Sequence, residues 1–85
     1  MKTYVVSYAS GVKKDFKTIS REAQIRIVTA ISRLTTDPRP SGAKKLSGLK
    51  YYRIRVGDYR VIYDIHDGKL TILVVKVGHR REIYR

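Results

Sequence analysis

Three arginines in the second half of the chain have the types and spacing to hold an anion. The runs Tyr51 to Val56 and Tyr59 to Ile65 alternate apolar and polar side chains, and Gly57-Asp58 separates them, which is the pattern of a two-residue β-hairpin. That turn pairs Val56 with Tyr59, Ile54 with Val61 and Tyr52 with Tyr63 on one face, and it sets Arg55 directly across from Arg60 on the other, with Arg53 two residues along. Like charges opposed across strands destabilise a sheet, so the chain either splays these guanidiniums into water or gathers them around an anion. Lys76, His79, Arg80 and Arg81 fall at or just beyond the end of the next apolar run, beside the same hairpin, and favour the second reading: a phosphate-binding concavity. Tyr52, Tyr59 and Tyr63 read as core and cross-strand packing, and His66 in the far turn reads as a bystander.

The elements that must position these residues follow from periodicity. Lys2 to Tyr8 is a β-branched and aromatic strand, after which Ser10 offers an N-cap to a short helix carrying Val12, Phe16 and Ile19. Ser20 caps a second helix with Glu22 in its first turn and a core stripe of Ala23, Ile27, Ala30, Ile31 and Leu34, ended by Asp37-Pro38-Arg39-Pro40. Ser41 to Lys50, with two glycines and three lysines, reads as a basic loop. Asp67-Gly68 makes a second turn, and the nearly continuous apolar run Leu70 to Val77 reads as an inner strand covered on both faces. The expected order is β-α-α-β-β-β. The fold class is α+β: one small domain over residues 1–85, with two N-terminal helices packed on a four-stranded, largely antiparallel sheet.

Composition narrows the partners. The 85 residues carry 19 Lys and Arg against 7 Asp and Glu, a formal charge of +12, which selects polyanions such as nucleic acid, an acidic protein or an anionic membrane. There is no cysteine and only two histidines, so neither a disulfide framework nor a metal site is expected, and no cofactor is implied. Met1 to Tyr8 lacks a signal-peptide pattern and the run Leu70 to Val75 is too short for a bilayer, so a cytoplasmic protein without a membrane partner is expected.

The basic loop Lys44-Lys45-Leu46-Ser47-Gly48, the hairpin Gly57-Asp58-Tyr59-Arg60-Val61-Ile62-Tyr63 and the ending Gly78-His79-Arg80-Arg81-Glu82-Ile83-Tyr84 together resemble the RelE/ParE toxin superfamily, in its RelE-type mRNA interferase branch, across essentially the whole chain. The resemblance implies the toxin of a type II toxin–antitoxin pair, a metal-independent endoribonuclease that enters the ribosomal A site and uses the mRNA's own 2′-hydroxyl to attack the adjacent phosphate, so inhibiting translation. Its partners would be mRNA on the ribosome, the rRNA of the A site and a cognate antitoxin. An apolar groove beside the two helices is a reasonable docking place for the antitoxin.

The positions matching the family's catalytic set hold Arg53, Arg55, Arg60, Arg80 and Tyr84. A lysine pair in the best-known member is arginine here at Arg53 and Arg55, and arginine keeps its proton at every physiological pH. These two are therefore expected to stabilise charge on the scissile phosphate, each able to bind two of its oxygens. Proton removal falls to Tyr84, whose phenolate neighbouring guanidiniums would favour, or to His79, whose ordinary pKa lies near neutrality. Lys44, Lys45, Lys50 and Arg81, with Lys13, Lys14 and Lys17 of the first helix, are expected to attract the RNA backbone. Two other readings share the charge: a ParE-like inhibitor of DNA gyrase, and a non-catalytic RNA- or ribosome-binding module. A solvated charged face is the plain alternative for the arginines, and terminal fraying for Tyr84.

Overall fold

The structure, a computed structural model, describes residues 3–79. Strand β1 (Val5–Tyr8) leads into helix α1 (Val12–Lys17) and helix α2 (Arg21–Arg33), followed by β2 (Lys44–Lys45), β3 (Tyr52–Val56), β4 (Tyr59–His66), a 3-10 turn (Asp67–Lys69) and β5 (Thr71–His79). The strands form one sheet in the order β1-β5-β4-β3-β2, with β1 parallel to β5 and the other pairings antiparallel. The α+β class and the two helices on a largely antiparallel sheet hold, with one correction. Among the described residues the sheet has five strands, because Lys44–Lys45 inside the expected loop pairs with Arg53 and Tyr52.

Helix α2 begins where its cap chemistry dictates: the Ser20 hydroxyl accepts the Ala23 N–H at 3.2 Å, filling one of the open donors of the first turn. Its apolar stripe buries Ala23, Ile27, Ile31 and Leu34 against Ile54, Val61, Tyr63, Ile72, Val74 and Val77 of the sheet. Each fully buried aliphatic side chain contributes about 1.5–3 kcal/mol, so this single layer carries the domain. Helix α1 starts differently from expectation. Its N-cap residue is Gly11, which has no side chain to offer, and Ser10 does not cap it.

Asp15 fixes α1 instead. Its carboxylate accepts the Val77 N–H at 3.1 Å and pairs with Lys76 at 3.2 Å. Val77 lies beyond the stretch Thr71 to Val74 that β1 pairs, so Asp15 satisfies a backbone donor past the end of that ladder. The loop after α2 is held from the other end of the sheet, where the Tyr63 hydroxyl donates to the Pro38 carbonyl at 2.7 Å and Arg39 reaches both Asp67 and the Tyr52 hydroxyl.

Strand β5 is interior to the sheet, yet among the described residues only one of its faces is packed by helices. Ile72, Val74 and Val77 are buried, whereas Leu73 and Val75 are half-buried and Lys76 is exposed. The expectation of cover on both faces is corrected, because both helices lie on the same side. Ile62 pairs with Lys76 and Tyr63 with Val74, so Val75 is an extra residue, a bulge that changes which side chains face the core beyond it.

Candidate functional site

The β3–β4 hairpin has the register its sequence predicts: Val56 with Tyr59, Arg55 with Arg60, Ile54 with Val61, Arg53 with Ile62 and Tyr52 with Tyr63. Gly57 takes φ +60° at the first central turn position, as a two-residue hairpin turn demands, and a Cβ there would come within 3.3 Å of the Arg26 guanidinium. Since alternate residues point to opposite faces, Ile54, Val61 and Tyr63 enter the core while Arg53, Arg55 and Arg60 stand together on the face away from the helices. Lys44, opposite Arg53 in β2, joins them there, and Gly78, opposite Arg60 in β5, brings no side chain.

The crowding has an electrostatic signature. Burial pushes the Arg53 guanidinium below its ordinary pKa, and the charges of Arg55 and Arg60 push the same way. It stays protonated at physiological pH all the same. Among the described residues neither Arg53 nor Arg55 pairs with a carboxylate. A phosphate entering this patch gains attraction from several guanidiniums and relieves their mutual repulsion.

The other expected residues scatter. Lys76 is drawn to Asp15 on α1. His79 pairs with Tyr59 and packs edge-on against its ring, with centroids 5.6 Å apart at 76°. It therefore belongs to the helix-facing side, opposite the guanidiniums. Lys50 is tied to Asp64 at 3.4 Å and lies over the Tyr51 ring. Lys45 pairs with Tyr52, outside the cluster, and Lys13, Lys14 and Lys17 are exposed on α1. Arg80, Arg81 and Tyr84 lie outside the described residues. Beside the helices an apolar groove is present, lined by Tyr8, Val12, Phe16 and Val28. Among the described residues no cluster of His, Asp or Glu could hold a metal, and no helix is long and apolar enough to cross a membrane.

The family profile for the ParE toxin of the type II toxin-antitoxin system parDE matches residues 6–84. The chain belongs to this toxin family. It is 28% identical to the toxin RelG of Mycobacterium tuberculosis over 96% of this chain and 97% of that protein. It shares its fold with a chain of the archaeal RelE–RelB complex of Pyrococcus horikoshii, at TM-score 0.82 and 29% identity, covering 95% of this chain and 99% of that one. A chain of the RelB–RelE antitoxin–toxin complex of Methanococcus jannaschii is similar at TM-score 0.74 and 31% identity, over 91% and 93%. These likenesses put the toxin in the RelE/ParE superfamily.

Asp64 is the residue sequence reasoning missed. It is an acid only 4% exposed, on the same face as the arginines, and its carboxylate is held by His66 at 3.0 Å and Lys50 at 3.4 Å. His66 is thus an anchor of that carboxylate. The signal was available: Arg60, Ile62, Asp64 and His66 share one parity along β4.

Proposed function

We propose that this toxin is a ribosome-dependent endoribonuclease that cleaves mRNA in the A site without a metal. The observation that carries the reading is the convergence of Arg53, Arg55 and Arg60 on the sheet face away from the helices. In this reaction the 2′-oxygen loses its proton to a base and bonds to the adjacent phosphorus, the phosphorus–O5′ bond breaks, the departing 5′-oxygen takes a proton from water, and a 2′,3′-cyclic phosphate and a 5′-hydroxyl result. Negative charge grows on the phosphate oxygens in the transition state, where fixed guanidiniums act most strongly. Arg53 and Arg55 hold the scissile phosphate and Arg60 completes the clamp. Arginine cannot take the 2′-proton, so Tyr84 is assigned that role, and Arg80 adds positive charge for the phosphate. His79, turned toward Tyr59, is the weaker candidate for the base. Lys44 adds attraction for the RNA backbone.

The cognate partner is an antitoxin, as in the RelE–RelB complexes that this chain resembles. It is expected to be an acidic or amphipathic segment, and the groove of Tyr8, Phe16 and Val28 offers it an apolar seat while the +12 charge attracts it. Such a protein acts in the cytoplasm, where ribosomes are.

The test is to add purified toxin to programmed ribosomes and map the mRNA ends. Cuts within the A-site codon that fall about 100- to 1,000-fold in Arg60→Ala support the reading. Cuts that persist in that variant refute the clamp, and undiminished cutting by Tyr84→Phe refutes the assignment of the base. A gyrase-directed toxin is the second reading, favoured by the ParE family match. Gyrase-dependent DNA breaks in the absence of mRNA cuts would establish it.

A further inference from the structure

Strand β3 is flanked by β2 only at Tyr52 and Arg53, so among the described residues no strand lies beside Ile54 to Val56. A groove of about 460 Å³ opens along that edge. Its apolar lining comes from Ala30, Leu34, Pro40 and Ile54, and its basic lining from Arg33, Lys44, Arg53 and Arg55. Among the described residues no acidic side chain lines it. The groove wraps the β3 edge and shares Arg53 and Arg55 with the guanidinium patch.

We infer that this groove seats the nucleobase next to the scissile phosphate and biases the toxin toward particular sequences. The inference rests on the cleavage reading above. A phosphodiester held by Arg53 and Arg55 brings a nucleoside on each side within reach of the β3 edge. Proteins recognise single-stranded RNA by taking an unstacked base onto an apolar surface or a guanidinium plane, and each such base contributes enough to change binding several-fold. The apolar lining of α2 and Ile54 accepts the flat face of a base. Arg33 stacks on it or donates to its edge acceptors. An acidic peptide strand added to the same edge would find the same charge, but the two arginines shared with the phosphate patch favour the nucleotide.

Gly42 gives a clean way to fill the groove. It is exposed, a Cβ there meets nothing within 4 Å, and its φ is not positive, so Gly42→Phe adds bulk without strain or core damage. Wild type, Gly42→Phe and Arg33→Ala are compared on ribosomes programmed with every A-site codon, with thermal midpoints confirming that each variant is folded. The wild type is expected to favour certain bases at one position flanking the cut, and both variants to flatten that preference by about fivefold or more, as loss of one stacked base implies. A wild type that cuts without base preference, or variants with the wild-type profile, overturns the inference while leaving the nuclease reading intact. Variants that keep the profile but no longer co-purify with the co-expressed antitoxin assign the groove to a protein strand and also overturn it. If the wild type makes no cuts at all, the cleavage reading fails and takes the groove with it.

Discussion

Replacing Arg55 by threonine should make the protein more stable and less active. Arg55 is exposed and directly opposite Arg60, with Arg53 on the same face, so truncating it removes no core contact and relieves at least one cross-strand repulsion. Opposed like charges on a sheet cost roughly 0.2–1 kcal/mol, and threonine suits a strand. For 85 residues, an unfolding entropy of about 2.1 cal/mol/K per residue gives about 0.18 kcal/mol/K, so a gain of about 0.5–1 kcal/mol raises the melting midpoint by roughly 3–6 °C. The difference should shrink with salt, because raising ionic strength from about 0.1 to 1 M shortens the screening length from about 10 to 3 Å. Calorimetry at both salt concentrations measures the gap, and ribosome cleavage measures the function, which should drop about 100- to 1,000-fold. A variant less stable than wild type at low salt, or a gap that widens with salt, would refute the claim that function keeps these charges together against the interest of the sheet.

Tyr63→Phe removes the hydroxyl bound to Pro38 and should destabilise by about 1 kcal/mol at neutral pH, read from urea unfolding. Burial raises the Tyr63 phenol to about 12, with Tyr52 adding to it and Arg39 opposing. The unfolded phenol ionises near 10, so stability from this group is whole below pH 10 and drains as pH climbs through 12. The wild-type advantage over Tyr63→Phe should accordingly narrow across that window in alkaline melts. Asp15→Ala leaves the Val77 N–H and Lys76 without their acceptor and should cost about 1–3 kcal/mol, with faster amide exchange at Val77 as its local mark. Ile27→Ala, at a site with no exposure, should cost about 2–5 kcal/mol in the same unfolding assay.

The hairpin and α2 were legible because each announces itself twice. Period-two alternation and Gly57-Asp58 agree on one register, and Ser20 with the stripe of Ala23, Ile27, Ile31 and Leu34 agrees on one helix. Where a single weak signal stood alone, the reading failed. Ser10 has the right chemistry for a cap, but the chain turns at Gly11. Strand β2 is two residues long and exists through backbone pairing, so no side-chain pattern marks it. The candidate site was legible in Arg53, Arg55 and Arg60 for the same reason as the hairpin. His79 was misplaced by the bulge at Val75: without that extra residue it would share the parity of Leu73, and with it His79 turns toward Tyr59 and the helices. Asp64 escaped notice because an acid among basic residues reads as solvated surface until its burial is known.

Core and weapon are front and back of the same two ribbons, and the Gly57 turn decides which is which. A one-residue slip there would turn one strand over against the other: with β4 held by the core, Ile54 would go outward and Arg53 and Arg55 inward, at a heavy cost to the core. On the proposed reading, misalignment offers no folded conformer that hides the arginines, so the cluster is presented as soon as the hairpin forms. Positions 57–58 are where the hairpin has no slack.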